Sequence, residues 1–151
     1  PKIGQKIMRQ NAIFRHPRLD NIIWLPMQPW SVYPEVLAAS DVSMINLNPL
    51  LRTPVVPSKL ISIMAAGRPV IASLPAESDA RKIVKTASSG ICVDAGDAES
   101  LAEAIRTLAS DPLLLEKFGR QGRAYVESNF SQAVCTRKME SVLLKARDIT
   151  C

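Results

Sequence analysis

The chain has 151 residues, 47% hydrophobic and 22% charged, a size and balance that fit one globular domain with a real core. The net charge of +5 permits an anionic partner (a nucleotide phosphate, a membrane surface or a nucleic acid), but dispersed basic residues with only two Trp and two Tyr lack the clustered basic, aromatic footprint of a nucleic-acid binder. No apolar run approaches the ~20 residues that cross a bilayer, no signal-peptide pattern follows Pro1, and three scattered cysteines with one histidine form neither a disulfide framework nor a zinc site, so a reducing, cytoplasmic setting fits best.

In chain order, a helical pattern over residues 3–14 precedes a short apolar strand over 21–25, NIIWL. A helix over 32–39 and a strand over 42–47, VSMINL, follow. A short helix over 58–66 leads to a strand over 69–74, PVIASL, and a helix over 78–87 leads to a strand over 90–93, GICV. Strands alternating with helices predict βαβ units and a parallel sheet. Continuous apolar runs in place of strict alternation predict strands covered on both faces.

After the last strand the pattern is all helical. Asp97 can cap a helix in which Leu101, Ala104, Ile105 and Leu108 recur at helical spacing. Asp111 with Pro112 opens a second, the proline standing where its missing N–H costs nothing. Ser131 can cap a third, with Cys135, Met139, Val142 and Ala146 in one stripe. The expected architecture is an α/β fold, a Rossmann-like open parallel sheet over about residues 1–96 with a helical tail over about 97–151, all in one domain.

The stretch VVPSKLISIMAAGRPVIAS, residues 55–73, carries the most chemical information. Pro57 holds the residue before it extended, Ser58 can cap the following helix, and Gly67 supplies a left-handed stop before the next strand. Leu60, Ile61, Ile63, Met64 and Ala65 make the helix apolar nearly all round, which predicts a buried helix, and Ser62 shares a face with Ser58. The unpaired N–H groups of its first turn need an acceptor, and a phosphate can supply one, with Lys59 adding a positive charge. A capped core helix with a solvated lysine accounts for the same residue types.

This segment resembles the donor-binding segment of GT-B-type retaining glycosyltransferases of the group 1 family, in particular bacterial polysaccharide-assembly enzymes of the colanic-acid type with a PSKL variant of the motif. Its neighbours resemble the same family in the same order: DNIIWLPMQPWSVYPEVLAASDVSM over 20–44, GICVDAGDAESLAEAI over 90–105, and DPLLLEKFGRQGRAYVESNFS over 111–131. The resemblance implies that Pro57, Ser58, Lys59 and Leu60 face the diphosphate and sugar of a nucleotide-sugar donor. It implies that Pro26, Met27 and Gln28 read the base, and that Ser62 stands where the family often has a Glu on the ribose hydroxyls. A second motif Glu is replaced by Pro54. No cofactor, metal or protein carboxylate nucleophile is implied.

The same resemblance implies an N-terminal truncation. Two further strands, an Arg and a Lys that neutralise the diphosphate, and the acceptor-binding half would all precede Pro1, leaving this chain incomplete for catalysis by itself. The reaction implied is sugar transfer, most simply from a UDP-sugar, to a saccharide or lipid-linked acceptor in cell-surface glycan synthesis. Peripheral attachment to the inner face of the membrane is compatible with the basic charge. Two other readings stand beside it. One is a non-catalytic nucleotide-sugar-binding module, or a subunit active only with a partner chain. The other is a receiver-like signalling domain, which needs acidic residues at strand ends where this chain has Asn46 and Asn48.

The remaining polar residues have simpler roles. Glu77, Asp79, Glu99 and Glu103 stand at helix starts, where the macrodipole favours them. Asp94 and Asp97 flank Gly96 as a turn and a cap, His16 lies in a connector, Cys92 is a core thiol, and Trp24 and Trp30 pack.

Overall fold

The computed structural model describes residues 21, 23, 25–50 and 55–149. The helix expected over 3–14, His16, Trp24, Pro54 and Cys151 lie outside the described residues. The chain divides into two compact units, residues 1–34 and 35–151. In the first, Val32 and Tyr33 donate their N–H groups to the carbonyls of Pro29 and Trp30 at 3.0 and 3.3 Å, closing a turn. The rings of Trp30 and Tyr33 stack across it with centroids 5.9 Å apart. A short helix, α1 (Tyr33–Ala38), runs on from this turn.

In the second unit the elements alternate as expected: β1 (Ser43–Asn46), α2 (Ser58–Ala65), β2 (Val70–Leu74), α3 (Asp79–Ala87) and β3 (Gly90–Asp94). The tail is α4 (Ala98–Ser110), α5 (Pro112–Phe130) and α6 (Gln132–Ile149). The described strands form a parallel sheet of order β1-β2-β3, with Ser43 opposite Val70 and Val70 opposite Gly90. β2 is buried along its whole length, as a strand covered on both faces must be, while β1 and β3 are the partly exposed edges.

The strand expected over 21–25 does not form among the described residues. Asn21 lies in a turn, and Ile23 and Leu25 are outside any strand and 82% and 65% exposed. An apolar run becomes a strand only where a neighbour pairs its backbone groups, which composition alone does not provide.

Two clusters hold the sheet. On one face Ile45, Val70, Ala72 and Leu74 pack with Leu60, Ile63 and Met64 of α2, Ala80 and Val84 of α3, and Val126 of α5. On the other, Ile71 and Val93 pack with Ala104 and Leu108 of α4. The tail's caps form as read: Asp97 accepts the Ser100 N–H at 3.0 Å, and Asp111 accepts the Leu114 N–H at 2.9 Å with Pro112 opening α5. Ser131 joins α5 to α6 in an extended conformation, and its carbonyl accepts the Cys135 N–H at 2.9 Å. The stripe on α6 is present but exposed at Met139 and Val142. No helix of the described residues is long and apolar enough to cross a membrane.

Candidate functional site

In a parallel sheet with crossover helices, each helix that follows a strand starts at the carboxyl edge, where ligands of open α/β sheets bind. α2 follows β1 and so starts there. Its N-cap is Pro57, at φ −61° and ψ 128°, and no side chain among the described residues caps the helix. This corrects the expected Ser58 cap: Pro57 is the extended residue, Ser58 is already helical, and its hydroxyl is not placed to accept from the first turn. Leu60 donates its N–H to the Pro57 carbonyl at 2.9 Å, and its side chain is fully buried, so it anchors the helix start. Ser58 and Lys59 are exposed beside it.

α2 is not buried all round. Leu60, Ile63 and Met64 face the core, whereas Ser58, Lys59 and Ala65 are exposed and Ser62 is half-buried. Eight residues make little more than two turns, and only the face toward the sheet and α5 is covered. The Ser62 hydroxyl donates to the Ser58 carbonyl at 3.3 Å, so the two do share a face. The far end is fixed by a Schellman motif: Gly67, at φ +68°, donates to Met64 O at 3.0 Å, and Arg68 donates to Ile63 O at 3.2 Å. Arg68 also reaches the Ala38 carbonyl at the end of α1 through its guanidinium.

The base-reading candidates lie in the first unit. Pro26 and Met27 are exposed, and Gln28 Nε2 donates to the Pro26 carbonyl at 2.8 Å, so the three form a locally braced loop.

One charged residue at the carboxyl edge escapes a reading based on sequence. Arg81, in the first turn of α3, is only 14% exposed; its Nη1 donates to the Leu74 carbonyl at 3.2 Å and to Asp94 Oδ1 at 2.5 Å, joining the ends of β2 and β3. Asp94 therefore does more than flank a turn. The only signal in the sequence is that Arg81 borders the buried stripe Ala80, Val84 and Ala87. Asp79 and Glu103, by contrast, pair with Lys82 and Arg106 on exposed surface. Among the described residues no group of three or more His, Cys, Asp or Glu could hold a metal ion.

The family model of glycosyl transferases group 1 matches residues 10–125, more than half of the chain. The chain belongs to the group 1 glycosyltransferases. No curated protein and no solved structure matches it. The matched span of this glycosyltransferase domain takes in the three described strands, the whole of α1 to α4, and most of α5, ending one residue before the buried Val126. The open parallel sheet with its helical tail is thus the Rossmann-like framework of a group 1 glycosyltransferase. Such an enzyme takes a sugar from a nucleotide-sugar donor to an acceptor.

Proposed function

We propose that this chain supplies the donor side of a glycosyltransferase that uses a nucleotide-diphosphate sugar, UDP-linked, and a saccharide or lipid-linked acceptor. The observation that carries the reading is the start of α2: it lies at the carboxyl edge of the sheet, has no side-chain cap among the described residues, and presents exposed Ser58 and Lys59. Free N–H groups and the positive end of a helix dipole attract a phosphate, and Lys59 adds a full charge. In transfer, the same groups would stabilise the departing nucleoside diphosphate as the bond from the anomeric carbon to its phosphate oxygen breaks, and no protein carboxylate nucleophile is required. Ser62, one turn on, would meet the ribose. Leu60 acts through its burial, holding the helix start in place. The acceptor and the base that activates it would come from a further half of the enzyme.

Calorimetric titration of the chain with a panel of nucleoside diphosphates tests this. The expected result is binding of UDP in preference to the others, lost in Lys59→Ala. A folded sample that binds no nucleotide contradicts the reading.

A further inference from the structure

α6 lies beyond the span matched by the family model, and the fold uses little of it. Val134 is half-buried near its start, while every one of residues 135–147 is exposed. Met139 and Val142 are 62% and 61% exposed, and Leu143 lies open beside them. Among the described residues only α6 itself lines the groove that runs over Cys135, Met139 and Leu143. Helices of this length draw most of their stability from packing an apolar face, so a bare stripe marks a missing neighbour.

The spacing of the stripe says what that neighbour is. Cys135, Met139, Val142 and Ala146, with Ile149 next in sequence, stand four, three, four and three residues apart. That is the 3.5-residue period of a coiled-coil seam, which keeps one face against a partner helix along its length. A lipid surface fits less well: interfacial helices anchor through aromatic and Leu side chains over a strongly basic face, whereas α6 has no aromatic residue and carries Glu140 and Asp148 beside its cations.

The flanks decide the orientation. On a 3.5-residue period Lys138 and Lys145 border the seam on one side, and Thr136 and Leu143 border it on the other. Antiparallel pairing of two copies brings the lysine edges together, and juxtaposed like charges repel. Parallel pairing lays each lysine edge along the Thr136 and Leu143 edge of the other copy, where the lysine stems cover Leu143 and their ammonium groups stay in water.

We propose that α6 pairs in parallel with α6 of a second copy of this chain, with Cys135, Met139, Val142 and Ala146 as the seam. Two-fold symmetry then sets each seam residue against its own counterpart, Cys135 on Cys135 included. The pairing is independent of the donor reading of α2, which nucleotide binding tests by itself.

Sedimentation velocity of the full chain tests the pairing. The sedimentation coefficient should rise with protein concentration toward that of a dimer. Val142→Glu, at an exposed position and with the fold confirmed by circular dichroism, should weaken association about tenfold or more, because a charge then lies in the seam. Leu144→Glu, exposed on the same helix outside the seam, should leave association unchanged. Labelling of Cys135 by a thiol reagent should slow as concentration rises. In a chain carrying Cys92→Ser and Cys151→Ser, copper phenanthroline should oxidise the two Cys135 thiols of a pair to a disulfide. A chain that stays monomeric at every concentration overturns the proposal, as does one whose association ignores Val142→Glu. A dimer that never cross-links through Cys135 overturns the parallel arrangement. Pelleting of a monomeric chain with phosphatidylserine vesicles, abolished by Val142→Glu, assigns the stripe to lipid and overturns it too.

Discussion

Gly119 of α5 lies directly against the carbonyl of Gly67: a Cβ at position 119 would stand 2.2 Å from that oxygen. Gly67 is the left-handed residue that ends α2, so the tail helix presses on the element whose other end is the proposed diphosphate site. Nothing larger than hydrogen fits between them.

Gly119→Ala therefore forces α5 and the α2 cap apart. The obstacle is backbone, which cannot rotate out of the way, so a loss of about 1–3 kcal/mol is expected. Chemical denaturation measures it. A variant as stable as the parent contradicts the close packing of α5 on the α2 terminus.

Ser62→Glu restores a carboxylate one turn after the α2 start, on the face it shares with Ser58. If the ribose lies there, the gain is one charge-assisted hydrogen bond, about tenfold in nucleotide affinity. Unchanged or weaker affinity by calorimetry counts against that placement.

Asp97 carries the pH dependence of the first tail helix. Its hydrogen bonds from the Ser100 hydroxyl and N–H hold its carboxyl below the usual carboxylate range. A depressed carboxylate contributes stability above its unfolded value and loses it as pH falls through the folded one. Denaturation midpoints followed from about pH 6 to about pH 3 should fall, and Asp97→Asn, which keeps a capping side chain, should flatten that part of the curve. An identical acid profile in the variant would assign the decline to other carboxylates.

The two described cysteines should differ in reactivity. Burial pushes the Cys92 thiol up, and the opposing pull of Arg81 and Lys85 is smaller, whereas Cys135 is exposed on α6. A thiol-specific reagent under native conditions should label Cys135 quickly and Cys92 slowly, the order disappearing in denaturant. Equal native rates would mean that the α3 and β3 packing opens readily.

What could be read from the residues was what local chemistry decides. The strand-helix alternation, the Asp97 and Asp111 caps and the Gly67 stop depend on side chains and spacings within a few residues, and all are present. What failed depended on neighbours distant in sequence. NIIWL has strand composition but no strand among its described residues, and Ser58 cedes the cap position to Pro57 because the proline's extended backbone already provides the turn into the helix. The helix looked buried all round because composition does not say which face α5 covers. Arg81 at the ends of β2 and β3, the pairing of Asn46 with Ser73, and the Gly119 contact arise from register and packing. The candidate site was legible as a segment, while the packing that fixes its far end was not.

The most direct test of the account follows the backbone amides of Ser58 and Lys59 while UDP, and separately uridine, is added to the folded chain. Both resonances should shift with UDP and stay in place with uridine, because the diphosphate and not the nucleoside meets the start of α2. Nucleotide binding that leaves both amides unmoved would contradict it.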